Sequence, residues 1–152
     1  MTTTLTPYLS FNGTTREAYA FYEQALGAKI LTMMRYADMP KKEGQGQECT
    51  GQPLSPDGIM HACLELPGGA MLYAGDVPPH MMPPAGYDGI QGVMLALQYD
   101  TLDAAQSAFH ALSQSGKATM PLAPAFWAKT FGMLTDRFGV DWGISGEPIP
   151  VP

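Results

Sequence analysis

His61, Cys63 and Glu65 are the densest group of reactive side chains in this chain of 152 residues. They alternate along Ile59 to Leu66, which reads as a β-strand. All three therefore share one face, with Ala62, Leu64 and Leu66 on the other. As metal ligands they are awkward, because alternate strand residues stand roughly 7 Å apart and the outer two cannot easily share an ion. Cys63 with His61 as its base has the composition of a nucleophile pair. The plainer reading, which the residue types favour, is a strand surface carrying a hydrogen-bonded imidazole and an inert thiol. His80 and His110 have no spacing partner and read as solvated. Asp141 shares a strand face with Gly143 and is a candidate cleft carboxylate. Arg35, with Met33 on its face, can meet an anionic group or stand exposed as most arginines do. Trp127, Phe131 and Trp142 suit either a core or a cleft wall.

The elements that must position these residues follow from pattern. Leu5 to Phe11 alternates as a strand and ends at Asn12-Gly13. Thr14 and Glu17 have the spacing of a capping box. Ala18, Phe21, Tyr22, Ala25 and Leu26 then recur at helical spacing up to Gly27, which predicts a helix over Thr15 to Leu26. Lys29 to Tyr36 is a strand. The stretch 37–58 has no periodicity and reads as a long surface loop, of a length that suits a lid or a disordered segment. Ile59 to Leu66 and Ala70 to Ala74 form a hairpin about Pro67-Gly68-Gly69. A Pro- and Gly-rich linker, 75–90, follows.

The pattern then repeats. Gly92 to Tyr99 is a strand. Asp100 or Thr101 caps a helix that buries Leu102, Ala105, Phe109 and Leu112 and stops at Gly116. Lys117 to Leu122 is a short strand broken by Pro121. Trp127 to Leu134 and Val140 to Ile144 are paired strands about the turn Asp136 to Gly139. Val140, Trp142 and Ile144 share one face and Asp141 and Gly143 the other. The fold class is therefore α+β, with two βαβββ modules at about 5–76 and 90–146 in a single domain. Each module covers one sheet face with its helix and leaves the other to a partner or a ligand. Two curled half-sheets of this kind enclose a cleft.

Bulk composition narrows the function classes. The net charge is -6 with only 8 Lys and Arg, which argues against a nucleic-acid partner. No apolar run approaches a membrane span. The first residues resemble no signal segment, so a cytoplasmic protein without a membrane partner is expected. Two cysteines, Cys49 and Cys63, make no disulfide framework. Eleven methionines fill a core or line an adaptable apolar cavity.

The duplicated order resembles the vicinal oxygen chelate superfamily of glyoxalase I, extradiol dioxygenases and bleomycin-resistance proteins, and within it the PhnB-like branch. The matching residues are Pro7 to Gly13, Phe21-Tyr22 to Ala28, Met39-Pro40, His61-Ala62, Phe126 to Ala128, Phe131-Gly132 and Thr135 to Trp142. The resemblance implies a paired fold with a cleft, usually in a homodimer. Metal-dependent members carry His, Gln or Glu at four positions. Here those fall on Pro7 or Tyr8, Leu72 or Tyr73, Val93 or Met94, and Gly143, so no metal and no other cofactor is expected. Some members of the branch are named as methyltransferases, but the Gly-rich strand-to-helix turn of a usual nucleotide site is missing. The expected function is binding of a small organic molecule on Tyr8, Met33, Arg35, Tyr73, Trp127, Phe131, Asp141 and Trp142, near His61. The alternatives are a lyase, isomerase or dioxygenase-like enzyme with His61 as acid/base, and a structural or regulatory dimer without a ligand.

Overall fold

The computed structural model describes residues 1–39 and 55–151. The chain separates into two compact units, Met1–Gly89 and Ile90–Pro152. The first contains β1 (Tyr8–Phe11), α1 (Thr15–Leu26), β2 (Lys29–Arg35), β3 (Ile59–Glu65) and β4 (Met71–Asp76). The second contains β5 (Met94–Tyr99), α2 (Leu102–Ser113), β6 (Lys117–Ala123), β7 (Ala128–Thr135) and β8 (Asp141–Pro148). The fold is α+β, and each unit holds one mixed four-stranded sheet. The strand orders are β1-β4-β3-β2 and β5-β8-β7-β6. β1 runs parallel to β4, and β5 to β8; the other pairs are antiparallel.

Alternation decides which face of each sheet is covered. In the first unit Leu9, Phe11, Ala62, Leu64, Leu72 and Ala74 are buried. α1 meets them with Ala18, Tyr19, Tyr22 and Leu26. The helix is rotated from the expected face: Tyr19 is fully buried, whereas Phe21 is half-buried. The Tyr19 hydroxyl donates to the Leu72 carbonyl at 2.7 Å, so burying this phenol strands no polar group. Each such side chain contributes about 1.5–3 kcal/mol through area removed from water.

The helix ends differ from the sequence pattern. Thr14 makes no side-chain cap. Instead the Asp76 carboxylate, at the end of β4, accepts from the Thr15 amide at 3.1 Å and its hydroxyl at 2.7 Å. A tertiary partner satisfies an orphan first-turn donor better here than the local Glu17. Gly27 ends α1 in the left-handed conformation, φ 64, as expected of that residue. In the second unit Thr101 caps α2 itself, accepting from the Ala104 amide at 3.2 Å. The left-handed residue after α2 is Ser115, φ 58, rather than Gly116. Pro121 lies within β6, an edge strand, where its missing donor is tolerated.

Candidate functional site

The open face of the first sheet gathers three rings. His61 stacks on Tyr8 with ring centroids 5.9 Å apart and meets Tyr73 edge-on at 5.0 Å. Strand register explains this, because Tyr8 pairs with Tyr73 across β1 and β4 and Cys63 pairs with Tyr73 across β3 and β4. The Tyr8 hydroxyl donates to the Met60 carbonyl at 3.0 Å. Gly75 makes that possible: a Cβ there would lie 2.6 Å from both the Tyr8 hydroxyl and the Met60 oxygen. Beside the rings, the Cys63 and Met71 sulfurs lie 3.9 Å apart. Burial, with Glu65 adding to it, pushes the Cys63 thiol up. That keeps it protonated and a poor nucleophile.

Tyr8 also borders a cavity of about 380 Å³, walled by Ser10, Tyr36, Met60, Asp76 and Met81 among others. A second cavity, about 410 Å³, is lined by Arg16, Glu17, Tyr36, Asp57 and Asp76. Tyr36 stands in the wall of both, its hydroxyl donating to the Asp76 carbonyl at 2.8 Å. Asp76 is the fixed point of this region. Besides Thr15, its carboxylate accepts from the Ile59 amide at 2.8 Å, so the start of α1, the start of β3 and the cavity wall are tied to one side chain.

The second unit presents a different face. Trp127 contacts Phe126 at 4.7 Å and Phe131 at 5.2 Å between ring centroids. Phe126 is 76% exposed and Trp127 37%. A Cβ on Gly143 would lie 2.9 Å from the Met94 methyl and 3.5 Å from the Phe131 ring. Asp141, on the same strand face, accepts from the Thr135 hydroxyl at 2.6 Å.

Of the residues singled out from sequence, Tyr8, His61 and Tyr73 come together in the first unit, and Trp127 and Phe131 in the second. Three do not serve as expected. Trp142 is 1% exposed, and its indole N–H donates to the Asp136 carboxylate at 2.9 Å; it is core. Met33 pairs with the buried Ala62, and Met34 stands opposite His61. A bulge between Ile30 and Thr32 shifts the register there. Arg35 is exposed and forked onto Asp38 at 2.9 Å, with Asp57 at 3.8 Å. The hydrogen bond to Asp38 holds that carboxyl below its usual value. His80 and His110 are exposed, as expected. Cys49, Pro40 and most of the 37–58 stretch read as a lid lie outside the described residues.

The positions that hold the metal in metal-dependent relatives do not fit a divalent ion. The Tyr8 phenol is raised above its ordinary value by burial and by Asp76 and spends its proton on Met60. Gly143 offers no donor, and the space beside it holds a thioether and a ring. Divalent ions want deprotonated or imidazole donors converging at about 2.0–2.2 Å. Sequence reasoning missed Met34, Tyr36 and Asp76. The one signal for Asp76 was an acidic residue ending an apolar strand, which read as the start of a linker.

The family profile described as Glyoxalase/Bleomycin resistance protein/Dioxygenase superfamily matches residues 4–144. Protein YjdN of Escherichia coli (strain K12) is 32% identical over 143 residues, which span 93% of this chain and 93% of YjdN. The crystal structure of protein PA1353 from Pseudomonas aeruginosa is 39% identical with TM-score 0.80, over 96% of this chain and 98% of that one. The PhnB protein from Bacillus cereus is 24% identical with TM-score 0.67, over 95% of this chain and 99% of that one. Among the described residues, no helix is long and apolar enough to cross a membrane.

Proposed function

The chain belongs to the glyoxalase/bleomycin resistance protein/dioxygenase superfamily, and we propose that it binds a small organic molecule, without a metal ion, on the open face of its first unit. The observation that carries this is the continuity of the Tyr8–His61–Tyr73 rings with the cavity of about 380 Å³, Tyr8 belonging to both. Aromatic and thioether walls give large contact area at low entropic cost and adapt to an irregular ligand. Pockets of this size, apolar with a few polar groups, are the usual form of small-molecule sites. The two modules act as one domain, and the protein is a homodimer. Exposed Val93, Met94, Met120, Phe126 and Trp127 on the second unit support self-association.

A thermal-shift screen of a metabolite and antibiotic library tests the binding reading. Compounds that raise the melting temperature of the wild type are expected to bind Tyr8→Ala roughly 2- to 10-fold more weakly, the worth of one aromatic contact. Compounds that stabilise both forms equally would overturn the reading. Sedimentation equilibrium at twice the chain mass is the expected result for the dimer.

One observation favours a second reading. Among the described residues no side chain or backbone group hydrogen-bonds the His61 ring, although it sits between two phenols. Such an imidazole can carry a proton for a bound substrate. His61→Ala separates the two readings on any ligand the screen finds. Lost turnover with binding kept supports acid/base chemistry, and no turnover in either form sinks it.

A further inference from the structure

The cavity beside Tyr8 is rich in hydrogen-bond acceptors and poor in donors. A phenol has one hydrogen to give, and three tyrosines in this region give theirs to backbone carbonyls. Tyr8 donates to Met60 at 3.0 Å, Tyr36 to Asp76 at 2.8 Å and Tyr87 to Ser10 at 2.7 Å. Tyr8, Tyr36, Ser10, Met60 and Asp76 all line the cavity, and Tyr87 reaches it only through its bond to Ser10. Their hydrogens spent, the Tyr8 and Tyr36 phenols bring to the lining rings and oxygens that can only accept. Met60 and Met81 add thioethers, which accept weakly and donate nothing. The Asp76 carboxylate is held by Thr15 and Ile59.

Among the described residues, the lining includes no Lys, Arg or His. Arg16 lines the neighbouring cavity and not this one. Arg35 is committed to Asp38. Among the described residues, the Ser10 hydroxyl is the one lining side-chain donor left for a ligand. The tyrosines register the same field: Tyr8, Tyr36 and Tyr87 are all held above the ordinary phenol value, by burial first, with Asp76 contributing to each.

We propose that this cavity selects an organic cation, an amine or quaternary ammonium carried on a small apolar or aromatic body. The inference deepens the binding reading above and rests on it. A neutral acceptor or an anion would find, among the described lining side chains, only the Ser10 hydroxyl to replace the donors it leaves in water, and most of its polar atoms would be buried unpaired. A cation needs none of these donors. It is attracted by the aromatic rings of Tyr8 and Tyr36 and by the carboxylate of Asp76. A volume of about 380 Å³ admits a small molecule.

The test is a titration of the full chain with three probes of similar size and different charge: benzyltrimethylammonium chloride, benzyl alcohol and sodium benzenesulfonate. Calorimetry gives the affinities, and the ring NMR signals of Tyr8, His61 and Tyr73 give the location. The expected result is that the ammonium binds at least about 5-fold tighter than the alcohol, the scale of a partly desolvated cation–π contact. The sulfonate should not bind. In Tyr8→Leu, a change at a half-exposed position, the advantage of the ammonium over the alcohol should shrink. An alcohol or sulfonate that shifts these rings and binds as tightly as the ammonium overturns the cation preference while the binding reading stands. An ammonium advantage unchanged in Tyr8→Leu does the same. Ammonium binding that shifts other residues, or three probes that leave these rings unmoved, overturns both.

Discussion

The two units place the same device in the same position and fill it differently. In each, the first residue of the leading strand lies across a glycine on the neighbouring parallel strand. Tyr8 pairs with Tyr73, and two residues on Ser10 pairs with Gly75. Met94 pairs with Asp141, and two residues on Ala96 pairs with Gly143. The Tyr8 hydroxyl occupies the space over Gly75 in one unit, and the Met94 methyl occupies the space over Gly143 in the other. The polar occupant finds a carbonyl, and a cavity lies beside it. The apolar occupant packs on the Phe131 ring. The repeated backbone fixes where a side chain may cross the sheet; the side chain then decides whether that place is a site or a filler. The helices differ in parallel. α1 is capped by a carboxylate 61 positions away in sequence, whereas α2 is capped by the threonine that starts it.

Substitutions can break this comparison, the largest effect first. Asp76→Ala leaves the buried Ile59 and Thr15 donors without their acceptor and should cost on the order of 3 kcal/mol in urea melts. Amide exchange should show the start of α1 loosened. Thr101→Ala, removing the local cap of α2, should cost about 1 kcal/mol. Equal losses would mean that the two helix starts are held with similar strength after all.

The glycines give a sharper contrast. At Gly75 the added methyl meets a backbone oxygen, which cannot swing aside; at Gly143 it meets the flexible end of Met94. Gly75→Ala should therefore destabilise by roughly 1–3 kcal/mol and Gly143→Ala by less than about 1 kcal/mol. A reversed order would place the tighter crossing in the second unit.

The smallest effect is on alkaline stability. Burial raises Tyr8, Tyr36 and Tyr87 above the phenol value of 10.0. The unfolded chain releases those protons first. Their contribution is whole below that pH and is lost as pH rises through the folded values. The melting temperature should fall there, and the absorbance change of phenolate formation should lag behind that of free tyrosine. Ionisation at the free value would remove this support for a dry, acidic surrounding.

Much of the fold was legible because it is local or periodic. The α1 limits, the turn ending in Gly139 (φ 84) and the alternation through His61 follow from patterns within a dozen residues. The site was legible in part. Alternation alone already divided Trp142 from Asp141, since neighbours in a strand face opposite ways; the buried partner of Trp142, Asp136, shows which of them is core. Met33 was misassigned because a bulge leaves no mark in the composition of a strand. Asp76 could not be recognised because its partners, Thr15 and Ile59, are joined to it by the fold and not by spacing.

The most direct test of the central claim is a ring-proton NMR fragment screen, with the aromatic signals assigned to individual residues. Small aromatic amines should shift Tyr8, His61 and Tyr73 together and saturate at one molecule per chain. Shifts confined to Trp127 and Phe131, with the first three unmoved, would contradict it and move the site to the second unit.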